Sequence, residues 1–289
     1  MFWKARGMSV AIRRRYVDGR YGQLHLREAG EAGGRHRPVL LLHQNPSTSF
    51  EYEPLMRTLA RDRRVVAFDT PGYGNSDGPS EPLSMEGYAT AMAQSLEAAG
   101  LGPQQRFDVY GFHTGALLAI EMALARPDAV RQIALTGIPM RPADERAENL
   151  AKAQKPVVLD EQGTVALGMA KQLWDYVVAQ RTPGIPLAHQ TALWLDKFRA
   201  FDKSSWAYVG VWSYDYDRLN KVTQPALLIQ PAEAIHDVSI DAVRLIPNHT
   251  IAELPQFHRD VLDIPEAVDA MATAMRDFFG VPFDTEKTS

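Results

Sequence analysis

The sequence predicts an α/β fold: a mostly parallel central sheet with helices on both faces and a helical insertion before its last strands. Three observations predict it. Short apolar runs alternate with stretches of helical spacing along most of the 289 residues. Several of those runs, such as Val39-Leu40-Leu41-Leu42 and Val65-Val66-Ala67-Phe68, are apolar without interruption, as strands covered on both faces must be. Residues 140–220 break the alternation. They carry no buried-strand signal and hold four of the five tryptophans, Trp174, Trp194, Trp206 and Trp212.

The elements follow in order. Residues 15–18 and 23–28 read as a β-hairpin around Gly19-Arg20-Tyr21-Gly22. Residues 38–42 are a buried strand, 51–61 a helix with Leu55 and Leu59 on one face, and 65–68 a second buried strand. Residues 85–99 are helical up to Gly100, a C-cap glycine. A third strand spans 107–110, a helix spans 116–126 and ends at Pro127, and a fourth strand spans 131–136. Short helices are expected at 165–179, 188–201 and 206–212. Strands resume at 225–229 and 250–254, and an amphipathic helix over 265–279 ends the fold at Gly280. The expected organisation is an N-terminal extension (1–14), a core (15–139 and 221–280), a helical cap (140–220) inserted where strand ends meet ligands, and a C-terminal tail (281–289).

Composition narrows the function classes. The chain is 45% hydrophobic and 23% charged, enough for a substantial core. A net charge of −4 and no basic cluster interleaved with aromatics give nucleic-acid binding no support. The Arg13-Arg14-Arg15 run is too short for such a patch and reads as a solvated strand edge. With no cysteine, disulfides, thiolate catalysis and cysteine-ligated zinc are excluded. No apolar stretch approaches a membrane span and no secretory leader is visible, so a cytoplasmic protein acting on a small molecule is expected. No cofactor is expected, and the sequence does not specify an oligomeric state.

The chemistry-bearing segment is Tyr110-Gly111-Phe112-His113-Thr114-Gly115. A short strand runs through two glycines into an apolar helix. This is the form of a nucleophile elbow, where a sharp strand-to-helix turn lifts one side chain above the sheet and a Cβ at either glycine would collide. The apex residue is usually Ser, Asp or Cys. Here it is His113.

Five segments in order resemble the α/β-hydrolase superfamily, over about residues 15–280. They are Leu40-Leu41-Leu42-His43-Gln44-Asn45-Pro46, the turn Phe68-Asp69-Thr70-Pro71-Gly72-Tyr73-Gly74-Asn75-Ser76-Asp77, the elbow, the strand from Pro225 to Glu233, and Leu254-Pro255-Gln256-Phe257-His258 with the helix behind it. The resemblance implies that His258 is the general base and that an oxyanion hole is built from backbone N–H groups of Gln44 or Asn45 and of Thr114. Asn45 before Pro46 resembles haloalkane dehalogenases, but their elbow Asp is absent, so their carboxylate mechanism is not available at His113. The family's acid position falls on Ala234. Glu233, one residue earlier, is the best candidate to orient His258, with Asp237 three residues later. Ser76 belongs to a structural turn.

What His113 does is left open between four roles. An imidazole titrates near pH 6.5, so at neutral pH it carries a free lone pair without help. It would serve as a nucleophile forming an acyl-imidazole that His258 hydrolyses, or as a general base for hydrolysis or for a lyase, decarboxylase or cyclase. It would serve as a zinc ligand with His43 and His258, a minority reading because His43 in this loop mostly has a structural role and no metal is otherwise called for. It would be a relic in a homologue that only binds a small molecule. The leading reading is hydrolysis of a small, mostly apolar ester, lactone or related carbonyl compound by His113 and His258. Trp174, Trp206, Trp212 and Tyr214 are expected to line the substrate pocket.

Overall fold

Gly19 and Gly22 face each other across a two-residue turn, Gly22 at φ 121°, and close β1 (Arg13–Gly19) onto β2 (Gly22–Ala29) as an antiparallel hairpin. The computed structural model describes residues 10–31 and 36–280. Residues 1–9 of the expected extension, and the expected tail 281–289, lie outside the described residues. Arg13 and Arg14 are corrected from extension to sheet, since β1 begins at Arg13 and pairs with Glu28.

The uninterrupted apolar runs become β3 (Val39–Leu42), β4 (Val65–Phe68) and β5 (Phe107–Phe112), every residue of them buried. With β6 (Val130–Thr136), β7 (Ala226–Pro231) and β8 (His249–Leu254) they complete one sheet of order β1-β2-β4-β3-β5-β6-β7-β8. The pairs involving β2 are antiparallel and all others parallel. Because successive side chains point to opposite faces, β3 feeds two cores. Leu40 and Leu42 join the core under α2 (Met85–Ala93) and α3 (Thr114–Ala125). Val39 and Leu41 join the one under α1 (Glu53–Leu59) and α9 (Pro265–Phe279).

Between β6 and β7 the chain is helical: α4 (Ala143–Ala153), α5 (Thr164–Trp174) running into a π-turn (Asp175–Ala179), α6 (Leu187–Phe198) and α7 (Trp206–Trp212). These helices pack on loops at the carboxyl ends of the strands. The Asn45 side-chain amide donates to the Ser204 carbonyl at 2.7 Å, and Tyr73 donates to Lys203 and accepts from the Ala207 amide.

Three helical expectations change. The helix expected over 51–61 begins as a 3-10 turn, Ser49–Tyr52, capped by the Thr48 hydroxyl, before α1 starts with Pro54 in its first turn. The helix expected over 85–99 stops at Ala93, because buried Ser95 turns inward and donates to the Asp18 carbonyl; turns then lead to Gly100 at φ 74°. Two helices, α4 and α8 (His236–Val243), are additions. Among the described residues no helix is long and apolar enough to cross a membrane.

Candidate active site

β5 ends, the chain turns over His113 at φ 51° and ψ −111°, and α3 begins at Thr114. Such a backbone is strained for any residue with a Cβ. It is held by the His113 amide donating to the Thr136 carbonyl at 2.8 Å. A Cβ on Gly111 would strike the Gly115 carbonyl, and one on Gly115 would strike the Leu42 carbonyl. The two glycines are therefore needed for the turn to lie against β3.

The His113 ring stacks on Phe112, 4.2 Å between centroids and 13° between planes. Its Nε2 lies 2.7 Å from Glu233 Oε2. An ionised carboxylate only accepts, so Nε2 carries the proton and Nδ1 is left with a lone pair and no partner among the described residues. Gly137, at φ 70°, makes the space: a Cβ there would meet the His113 ring and Glu233 Oε1. Glu233 Oε1 is buried and has no hydrogen-bond partner among the described residues.

This pairing corrects the expectation that Glu233 orients His258. His258 donates from Nδ1 to the Ala232 carbonyl at 2.9 Å, on an exposed loop, which leaves its Nε2 as the lone-pair nitrogen. Asp237 is also removed as an alternative acid, because its exposed carboxylate pairs with His236. The carboxylate after β7 thus serves the elbow imidazole, and a backbone carbonyl serves the loop imidazole.

The three expected oxyanion residues divide. The Gln44 amide donates to Glu51 Oε1 at 3.0 Å and its side chain to Glu51 Oε2 at 2.9 Å, so its N–H is occupied. No hydrogen bond from the backbone N–H of Asn45 is formed with the described residues, and none from that of Thr114, the first residue of α3. Asn45 is further fixed by Tyr208, whose hydroxyl donates to its carbonyl at 2.5 Å; burial pushes that phenol up to about 12.

Glu51 is the functional-looking residue that sequence reasoning missed. It is almost fully buried and accepts from the Gln44 backbone, the Gln44 side chain, Ser47 Oγ at 2.5 Å and Lys197 Nζ at 3.1 Å. Burial raises its carboxyl, but Lys197, His43 and these hydrogen bonds outweigh burial and bring it below the usual range. A signal was present: Glu51 shares the i, i+4, i+8 stripe with Leu55 and Leu59, so an acid was aimed at the core.

His113, Thr114, Asn45, Glu233 and His258 all line one cavity of about 700 Å³ at the carboxyl ends of the strands, covered by Leu193, Tyr208 and Trp212 from the helical segment. Of the four expected pocket aromatics, only Trp212 lies on this wall. Trp174 packs edge-on to Trp194 behind the cavity wall, in a cluster with Val177, Val178 and Leu193. Trp206 lies under Lys203. Tyr214 is buried in the core, donating to Glu121 at 2.6 Å. His43 is corrected as a metal ligand: it donates from Nδ1 to the Gln44 carbonyl and accepts at Nε2 from the Thr70 amide, so no nitrogen is free. Ser76 bridges the His25 amide and the Asp69 carbonyl, as its structural turn implied. No group of three His, Asp or Glu side chains suited to a metal ion exists among the described residues.

Comparison with known proteins fits this architecture. Proline iminopeptidase of Heyndrickxia coagulans is 26% identical over 152 residues, 52% of this chain and 51% of its own. Haloalkane dehalogenase 2 of Mycobacterium bovis is 32% identical over 135 residues, 46% of this chain and 44% of its own. The match thus spans about half the length of these curated relatives. The enol-lactonase of Burkholderia xenovorans superposes with a TM-score of 0.73 at 18% identity, covering 91% of this chain and 99% of its own. Residues 37–231 match the family model of the alpha/beta hydrolase fold. With that match across most of the chain, and a sheet and elbow of the same kind, the protein belongs to the α/β-hydrolase fold family.

Proposed function

We propose that the protein hydrolyses a small carbonyl compound, an ester or lactone with an apolar body, using His113 as the general base. The observation that carries this reading is the 2.7 Å contact between His113 Nε2 and Glu233 Oε2 at the elbow apex. A carboxylate on one ring nitrogen fixes the tautomer and stabilises the imidazolium that forms when the other nitrogen takes a proton.

In the proposed step, His113 Nδ1 takes a proton from water while the water oxygen bonds to the carbonyl carbon. The carbonyl π pair moves to oxygen, where the N–H groups of Thr114 and Asn45 are available as donors. The tetrahedral species then expels its alkoxide, which takes the proton back from His113. His258 Nε2 accepts from the attacking water and positions it. Residues 140–220 act as the cap that closes the cavity and limits water around the reacting atoms. The likeness to an enol-lactonase supports including lactones.

The test is a panel of ester and lactone substrates run on wild type, His113→Ala, His258→Ala and Glu233→Gln. Glu233→Gln removes the charge and allows the wrong tautomer, and a loss in kcat of about a thousandfold or more is expected, by analogy with carboxylate-to-amide changes in triads. Intact-mass analysis during turnover should show no acyl adduct. A persistent adduct on wild type that His113→Ala abolishes would replace the base with a nucleophile.

A further inference from the structure

The charged groups around the cavity are nearly all matched within the protein. Glu51 is paired with Lys197 and Glu233 with His113. Asp263 accepts from His189 at 2.8 Å and from Gln190 at 2.9 Å. Asp260 accepts from the Thr182 amide and hydroxyl. Arg259 is spent on the Tyr176 carbonyl at 2.6 Å, on Gln180 and on Asp260.

Arg141 is the exception. It lines the same cavity, yet its one ionic contact is Nε to Glu145 at 3.6 Å, beyond hydrogen-bonding range, and Glu145 is 42% exposed. Neither Nη group has a partner among the described residues. The Arg141 side chain lines the cavity and is 30% exposed, so most of its length is packed against the wall. Its place along the chain matters too. Gly137, which touches His113 and Glu233, is four residues earlier, so the two Cα atoms are at most about 14 Å apart. Pro139, between them, lines the cavity and is pinned by the Tyr216 hydroxyl at 2.7 Å. The free fork of donors is therefore held within a small molecule's reach of the elbow.

We propose that Arg141 binds a carboxylate carried by the substrate, so that the molecule hydrolysed is a half-ester or a lactone acid. The planar fork matches a carboxylate in bidentate fashion, and the one acid beside it, Glu145, lies at 3.6 Å without a hydrogen bond and competes for it only weakly. The apolar wall, with Phe112, Leu193 and Val211, then holds the carbon chain between the carboxylate and the scissile carbonyl. This subsite rests on the hydrolase reading for its substrate class, but its anion binding does not.

The test separates the two. Binding of succinate, glutarate and adipate is measured by calorimetry on wild type, Arg141→Gln and Arg141→Lys. At least one diacid should bind wild type, bind Arg141→Gln about tenfold to a hundredfold more weakly, and bind Arg141→Lys in between. No binding to wild type, or equal binding to a folded Arg141→Gln, overturns the subsite. In parallel, kcat/KM is compared for the monomethyl and dimethyl esters of the diacid that binds. The monoester preference should fall by a similar factor in Arg141→Gln, and an unchanged preference overturns the proposal. Diacid binding that depends on Arg141, with neither ester turned over by wild type, would uphold the subsite and reject the hydrolase reading.

Discussion

Gly137→Ala is the sharpest structural test of the elbow dyad, because it can be read without a substrate. Gly137 has φ 70°, where an L-residue is disfavoured by roughly 1–2 kcal/mol. The new Cβ would also lie 2.7 Å from His113 Nε2 and 2.8 Å from Glu233 Oε1. Carbon contacts are comfortable near about 3.5 Å, so both groups must retreat by close to an ångström. A retreat of that size breaks the 2.7 Å His113–Glu233 contact. Glu233 Oε1 already lacks a partner, so the carboxylate would be left wholly unpaired in a mostly buried position, at about 1–3 kcal/mol. The sum is a destabilisation of about 2–5 kcal/mol. Urea unfolding of wild type, Gly137→Ala, His113→Ala and the double variant checks it. In the His113→Ala background the ring is gone, and the cost should fall towards the backbone strain alone, a coupling of about 1–3 kcal/mol. Equal costs in both backgrounds would refute the packing of the dyad against Gly137.

Two further predictions concern the buried charges that hold the frame. Burial alone would raise the Asp69 carboxyl, but the hydrogen bond and charge of His25, with His43 and Ser49, bring it down from 3.8 to about 2. Its folded value lies below its unfolded value, so its stabilisation, about 2 kcal/mol, is complete above pH 4 and is lost as pH falls towards 2. Asp69→Asn should flatten the acid limb of stability between those pH values, and a urea midpoint that still falls as steeply with pH would reject that assignment. Glu121 is fully buried and accepts from Tyr214 and, through both oxygens, from Arg218 at 2.7 and 2.6 Å. Glu121→Ala should destabilise by about 3 kcal/mol, and Arg218→Met added to it should recover part of the loss; urea unfolding without recovery would show that the unpaired guanidinium is not the source.

The buried strands are legible because β3, β4 and β5 are covered on both faces and therefore read as unbroken apolar runs. The helices α4 and α8 are not. No residue of α4 is buried and Leu150 is its one large apolar residue; α8 is only eight residues long and buries Ser239, Ala242 and Val243, so its helical stripe is too short and too weakly apolar to stand out in the sequence. In the site, backbone-defined features are readable. The elbow glycines are fixed by a turn whose residue requirements are local. Side-chain allegiance is not readable. Glu233 bonds to His113 across 120 positions, and which of two imidazoles it meets depends on loop directions that spacing does not encode. The aromatics fail for the same reason: Trp212 and Tyr214 are two residues apart, yet one lines the cavity and the other is pinned to Glu121.

That allegiance bears on the roles proposed for the two imidazoles. Proton uptake at His113 would create a cation 2.7 Å from a carboxylate whose side chain is only 11% exposed. Coulomb attraction at such a distance, at an effective dielectric typical of protein sites, is worth several kcal/mol before screening. Proton uptake at His258 would be met at Nδ1 by the Ala232 carbonyl, a dipole and not a charge, on an exposed loop. The same asymmetry weighs on the covalent route. Attack by His113 on a carbonyl would also form a cation that Glu233 stabilises, so acylation is not disfavoured on charge. Hydrolysis of that intermediate, however, needs a second base while His113 is occupied, and the second base available is the imidazole without a carboxylate. Direct water activation asks only the favoured imidazole to change charge. On this ground the charge distribution points to one proton transfer at His113 and a positioning role for His258. His258→Ala should then raise KM or lower kcat modestly, while His113→Ala removes turnover; an equal loss from both would reject this division of roles.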